Sequence, residues 1–237
     1  ERRLKTQNEE LQKINQELDR FVYSASHDLR APLRSLLGLV QLFRIDNDEG
    51  KKEQYLQRME KSIHNLDHFI AEIISYSRNS RLELEAKPID FKEILTVLIE
   101  TLKFDSITNV DIQLDIKEEQ KLLSDMGRLK VLFSNLISNA IRYHNPKAEN
   151  PYVKVSVIVN KTEAIFIIED NGIGIGKEHI DKVFNMFYRA HDKNVGTGLG
   201  LYIVKETVAK LNGQIDLQSE LGKGTTFIIK IPNLLED

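Results

Sequence analysis

The chain has 237 residues, 41% hydrophobic and 29% charged, with a formal net charge of −3. That supplies a substantial core for one or two domains, and the near-balanced charge offers no field for a polyanion, so no nucleic-acid partner is expected. Cysteine is absent, which excludes disulfides, thiolate chemistry and the usual structural zinc ligands, and no apolar run approaches the roughly 20 residues that cross a bilayer.

The sequence starts at Glu1 rather than Met, inside a helical pattern already under way. The expectation is a cytoplasmic piece of a longer protein, the whole being soluble or membrane-anchored. Residues 4 to 25 place Leu4, Leu11, Leu18 and Ala25 at seven-residue steps, one seam of a coiled coil. Gln7 and Asp28 spoil the second seam, so the register is expected to shift near Phe21-Val22. Leu29, Leu33, Leu36, Leu37, Val40 and Phe43 prolong the helix up to a polar turn, Asp46 to Gly50. A second amphipathic run follows through Leu56, Met59, Ile63, Leu66, Ile70, Ile73 and Ser77. Two long helices joined so briefly form an antiparallel hairpin, and a four-helix bundle made by two chains is the economical way to bury them.

Beyond residue 82 the periodicity changes to that of an α/β sandwich with helices on one sheet face. Pro88 and Asp90 open a helix to about Leu102, Asp111 to Ile116 alternates as a strand, and Asp125 caps a helix that ends before Asn145-Pro146. Val153 to Val159 and Ala164 to Asp170 read as a hairpin around Asn160 to Glu163. Gly198 to Leu211 reads as helix, and strands Gln214 to Gln218 and Thr225 to Ile231 flank the turn Gly222-Lys223-Gly224.

His27 falls off the Leu29/Leu33/Leu36 stripe and is expected to be at least partly in water, where an incoming phosphoryl group can reach it. Asp28 can curl back to the ring and take a proton from one nitrogen while the other attacks. Pro32 gives no N–H to the carbonyl of Asp28, which loosens the helix there. Taken alone, His beside Asp on a helix is an ordinary solvated pair.

The second half supplies parts for a nucleotide. Asn135 and Asn139 share one helix face and offer amide oxygens of the kind Mg²⁺ accepts beside phosphates. Arg142 and Tyr143 follow one turn on, in reach of phosphate. Asp170 ends an apolar strand before Asn171-Gly172-Ile173-Gly174; its carboxylate can accept from an exocyclic amine while glycines admit close backbone approach. Gly196-Thr197-Gly198-Leu199-Gly200 leads into a helix whose N–H groups suit phosphate oxygens. It is neither the dinucleotide fingerprint nor a Walker loop. Arg189 and Lys193 lie in a polar lid segment, Tyr188 to Val195. Asn pairs, Asp-Gly turns and charged loops each have a plain structural reading as well.

Together these segments resemble the transmitter region of sensor histidine kinases. Ser26 to Leu33 is similar to their phosphoacceptor box, Asn135 to Tyr143 to their asparagine box, and Asp170 to Gly174 to their first glycine box. Phe184 to Phe187 and Gly196 to Leu201 resemble the phenylalanine and second glycine boxes, and Gly222 to Phe227 the last turn of a GHKL-type ATP-binding fold. The resemblance implies a signalling helix over 1–20, a dimerisation and phosphotransfer hairpin over 21–81 and a catalytic ATP-binding domain over 82–237. It further implies a homodimer, an upstream sensor domain, autophosphorylation of His27 by ATP with Asp28 as base, and transfer to an aspartate of a response-regulator receiver domain. Asn139 would be the main Mg²⁺ ligand with Asn135 as helper. Asp170 would read adenine, and Gly172, Gly174, Lys193, the glycine-rich stretch and Thr225 would complete the nucleotide site.

Two departures stand out. Asp28 replaces the Glu of many members, shortening the arm. Ala31 stands where members that also dephosphorylate their regulator often carry Thr or Asn, so weak phosphatase activity is expected. His144 is also unfamiliar in its place and has no account from sequence. A phosphotransfer scaffold with a degenerate ATP domain is disfavoured by the intact Asn139 and Asp170. A chaperone-like ATPase is disfavoured because no acidic residue lies between Arg128 and Tyr143.

Overall fold

The computed structural model describes residues 2–81, 83–105, 109–190 and 196–234. Packing divides the chain into two units between Ile74 and Ser75.

The first unit is a helical hairpin. Helix α1 (Arg2–Ile45) runs unbroken from the coiled-coil stretch through His27 and past Pro32. The side chains of Leu4, Leu11 and Leu18, three of the four seam residues, lie outside the described residues, and Ala25, the fourth, is buried. Helix α2 (Glu49–Arg81) begins after only three residues, so Gly50 belongs to its first turn rather than to the connection. Asp48 is the reason: its Oδ1 accepts from Gly50 N at 2.9 Å and Lys51 N at 3.3 Å, a side-chain cap. Asp46 closes the turn by accepting from Asp48 N at 3.0 Å and the Tyr55 hydroxyl at 2.9 Å, bonds that hold its carboxyl below the usual carboxylate range. Along both helices apolar side chains face outward, Leu37 being 65% exposed and Ile63 54%. None of the described helices is long and apolar enough to cross a membrane.

The second unit is built on a five-stranded sheet. Its elements in chain order are β1 (Ala86–Pro88), α3 (Phe91–Asp105), β2 (Asp111–Glu118), β3 (Leu123–Asp125), α4 (Met126–Arg142), β4 (Tyr152–Val159), β5 (Glu163–Asp170), α5 (Gly200–Lys210), β6 (Gln214–Glu220) and β7 (Gly224–Pro232). The strand order is β2-β4-β5-β7-β6, with β2 parallel to β4 and every other pair antiparallel. Alternation along the central strands sends Val153, Val155, Val157 and Val159, then Phe166 and Ile168, then Phe227, Ile229 and Ile231 to one face. There they meet Leu95 of α3, Leu132, Phe133 and Leu136 of α4, and Val204 and Val208 of α5. Phe133 and Phe166 pack edge to face at 5.0 Å between ring centroids, with Phe91 on both.

Helix α5 starts two residues later than its pattern suggests, because Gly198 has φ +74 and lies outside helical space. Two elements are absent from the sequence reading: β1 and β3 are three residues each and pair with one another, too short for alternation to register. They bring Asp125 to the start of α4. Its Oδ1 accepts from Arg128 N at 2.9 Å and its Oδ2 from Arg128 Nη1 at 2.5 Å and Glu85 N at 3.2 Å. Burial pushes the Asp125 carboxyl up, but the two N–H groups and the guanidinium outweigh it, and the net shift is downward.

Asp125→Ala removes the carboxylate that faces the buried Arg128 guanidinium as well as the helix cap, and is expected to lower the unfolding free energy by about 3 kcal/mol in urea titrations. A depressed carboxyl contributes stability above its unfolded value of 3.8 and loses it as pH falls through the lower folded value. The gap between wild type and variant should therefore be full at neutral pH and close in acid.

Candidate functional site

In the first unit, the His27 side chain is 73% exposed and Asp28 29%. Neighbours on a helix point about 100° apart, yet the short carboxylate bends back to place Oδ1 3.1 Å from His27 Nδ1. A carboxylate only accepts, so Nδ1 is the donor in this contact, and the tautomer of the ring that fits it has its lone pair on Nε2. The arrangement is an exposed imidazole with a carboxylate on one of its two nitrogens.

In the second unit, α4 and α5 meet at two carboxamides. Asn135 Nδ2 donates to Val131 O at 2.8 Å, which turns its Oδ1 toward the start of α5. A Cβ on Gly200 would lie 2.8 Å from that oxygen and 3.8 Å from Asn139 Nδ2, so a side chain there would have to displace the Asn135 amide. Leu199, at the N-cap of α5, makes no side-chain cap bond, and a helix N-terminus carries the positive end of the helix dipole that suits an anion. Leu199 is fully buried and acts as a core anchor, so any part it takes in binding is through its backbone. Gly198, packed on Phe187, accepts from Phe187 N at 3.0 Å.

The other end of α4 is tied to the loop after β5. Tyr143 O accepts from Ile173 N at 2.9 Å, and a Cβ on Gly172 would stand 2.4 Å from that carbonyl oxygen. His144, unexplained by sequence, finishes the helix by donating from Nδ1 to Ile141 O at 2.9 Å. Asp170 Oδ1 accepts from Gly172 N at 2.8 Å. Asp170 also pairs in register with Thr225 of β7, and Thr225 with Ser219 of β6, one row on the helix-covered face. Gly174, at φ +68, rests against Glu220 O. Burial raises the Asp170 carboxyl to about 6, against the Gly172 and Thr225 N–H groups and with help from the Glu169 charge.

Thus Asn135, Asn139 and Gly200 come together, as do Tyr143, Asp170, Gly172 and Thr225. Arg142 is half-buried in the last turn of α4. Gly196 and Thr197 group with the first unit, and Lys193 lies outside the described residues. The sequence reading passed over Ser219. Its signal was a polar residue on the inward side of β6, in step with Ile215 and Leu217. Among the described residues no group of three His, Cys, Asp or Glu is placed to hold a metal.

Residues 17–81 match the family model of the His Kinase A (phospho-acceptor) domain. Residues 124–235 match that of the histidine kinase-, DNA gyrase B- and HSP90-like ATPases. The chain belongs to the sensor histidine kinases. The second unit of this kinase is accordingly an ATP-binding domain. The chain is 34% identical to cyanobacterial phytochrome B of Nostoc sp. over 242 residues, covering 96% of this chain and 31% of the relative. It spans between a quarter and a third of the first curated relatives it matches. Among solved structures, the Acinetobacter baumannii histidine kinase AdeS superposes with a TM-score of 0.69 at 27% identity, over 88% of this chain and 98% of that one. Histidine kinase ThkA, solved with the response regulator TrrA, shares the fold with a TM-score of 0.68 at 22% identity, over 88% and 59%.

A carboxyl that folding raises from 3.8 to about 6 contributes stability below the lower value and loses it as pH rises through the upper one. Asp170→Asn should therefore melt above wild type at pH 8, with the gap shrinking toward pH 5, in thermal unfolding scans. Wild-type ADP affinity, followed by calorimetry, should fall as pH drops below about 6, where the protonated carboxyl is no longer a pure acceptor.

Proposed function

We propose that this kinase moves the γ-phosphoryl group of ATP onto Nε2 of His27 and from there to an aspartate of a response-regulator receiver domain. The observation that carries the reading is the Asp28 Oδ1 contact at 3.1 Å from Nδ1, which assigns the lone pair to Nε2. As the Nε2–P bond forms, the P–O bond to ADP breaks. The Nδ1 proton shared with Asp28 relieves the positive charge that would otherwise build on the ring. Exposure of His27 then lets a receiver aspartate reach the same phosphorus. ThkA is crystallised with its regulator TrrA, which supports a partner of that class.

Asp170 takes the adenine amine, Gly172 and Gly174 open the backbone to the base, and Thr225 lines the same row. Arg142, Tyr143, Lys193 and the stretch Gly196, Thr197, Gly198, Leu199 and Gly200 face the phosphates. Asn139 and Asn135 suit Mg²⁺: two amide oxygens without a carboxylate cluster fit an ion held chiefly by phosphate oxygens and water. When bound, Mg²⁺ neutralises the charge of the transferring phosphates. The outward-facing Leu37 and Ile63 support a homodimer in which two hairpins form a four-helix bundle. An upstream sensor domain supplies the signal, and residues 1–20 pass it to the hairpin.

Incubation with γ-labelled ATP and Mg²⁺ should give acid-labile, alkali-stable label on wild type and none on His27→Gln. Asn139→Ala should lose at least about a hundredfold in rate, the scale seen when an electrostatic group of the transition state is removed. Label persisting in the His27 variant would sink the assignment. Ala31 has no group to orient a water, so the phosphorylated regulator should keep its phosphate in the presence of this kinase and ADP. Rapid loss, with return of the phosphate to His27 excluded, would contradict that.

A further inference from the structure

Ser219 touches none of the residues that sequence reasoning assigned to phosphates or metal, yet its hydroxyl makes three hydrogen-bond contacts. Oγ accepts from Ile175 N at 2.8 Å, lies 2.8 Å from Gly224 O and is 2.9 Å from Thr225 Oγ1. A serine hydroxyl has one hydrogen and two lone pairs. Gly224 O is a carbonyl and can only accept, so it takes the hydrogen of Ser219. The Ile175 N–H fills one lone pair. The contact to Thr225 then has a single solution: the threonine hydroxyl donates to the remaining lone pair of Ser219.

This fixes the polarity of Thr225. With its hydrogen spent on Ser219, Oγ1 offers only lone pairs to anything in front of it. Asp170, next along the same cross-strand row, is acceptor-only when ionised. On this row the sheet therefore presents two acceptors side by side, Asp170 and Thr225. Thr225 is 8% exposed, so a ligand meets Oγ1 directly or through one bound water, and that water must point a hydrogen at it.

We infer that Ser219 is a specificity-determining positioning residue, which rejects guanine by locking the Thr225 hydroxyl as an acceptor. An exocyclic amine such as that of adenine brings hydrogens to this row. The carbonyl that guanine carries at the same ring position brings a lone pair against lone pairs. Asp170 alone prefers an amine. A freely rotating threonine hydroxyl beside it would donate to a carbonyl and blunt that preference. Ser219 removes the option, and Ile175 and Gly224 hold Ser219 in place. The inference rests on the second unit binding a purine nucleotide through Asp170, as proposed above.

The test is the ratio of GDP to ADP dissociation constants, measured by calorimetry on the whole chain with Mg²⁺. Ser219→Ala should lower this ratio roughly tenfold or more, since a site with polarity matched to one partner discriminates steeply and one with a rotatable hydroxyl does not. Ser219→Thr keeps the hydroxyl and should keep the wild-type ratio. Thr225→Val removes the oxygen itself; it should also lower the ratio, and adding Ser219→Ala to it should change nothing further. A Ser219→Ala protein that loses ADP and GDP affinity by the same factor would show Ser219 to be mere scaffolding and overturn the inference. Should that variant not fold, a Thr225→Val protein with an unchanged ratio overturns it equally. Wild type that binds neither nucleotide would instead sink the reading of the second unit.

Discussion

A Cβ on Gly224 would lie 1.9 Å from the carbonyl oxygen of Asp170, and one on Gly174 2.0 Å from that of Glu220. The loop that follows β5 and the hairpin of β6 and β7 are thus pressed together at distances no side chain permits. Gly224 and Gly174 also carry φ of +126 and +68, so two independent constraints select glycine at each. Much of the nucleotide site depends on this contact. It lets Gly222 N donate to Ile173 O at 2.7 Å, sets Ser219 against Ile175, and aligns Asp170 with Thr225. The same loop, through Ile173, holds the carbonyl of Tyr143 and so the end of the helix that bears both asparagines.

Two partly desolvated carboxylates of the second unit show how partners decide the outcome of burial. Asp125 and Asp170 are both pushed upward by desolvation. Asp125 faces a guanidinium and two N–H groups and ends below its ordinary value; Asp170 has N–H groups and an acidic neighbour, and ends near 6. The first arrangement serves the fold by anchoring a helix. The second leaves a carboxylate costly to ionise, the kind of environment that a proposed recognition site has and a structural ion pair lacks.

Much of this was legible in the chain. The cap at Asp125, the strand pair β4 and β5, the two long helices and the asparagine face of α4 follow from local pattern, because each rests on contacts a few residues apart. The proposal of His27 as the phosphoacceptor rests on sequence too, through the order of the motifs along the whole chain. What escaped the pattern was short or distant. Strands β1 and β3 have three residues each and owe their existence to one another. Gly50 was read as a turn residue, but the cap from Asp48 starts the helix before it. His144 had no account until its ring was seen on Ile141 O.

By itself the sequence determined the type and order of the elements and the chemistry of the motif residues, since periodicity, capping and glycine placement are written locally. Only the tertiary structure decided which residues meet. The parallel pairing of β2 with β4 joins segments separated by a strand and a helix, and no local signal encodes it. The row Asp170, Thr225 and Ser219 is likewise a matter of strand register, set by the burial of three apolar strand faces against three helices. A one-residue slip of any one of these strands would turn its member of the row to the other face. Hydroxyl polarity at Thr225 is a step further from the sequence, because it follows from counting hydrogens across four residues that only the fold assembles.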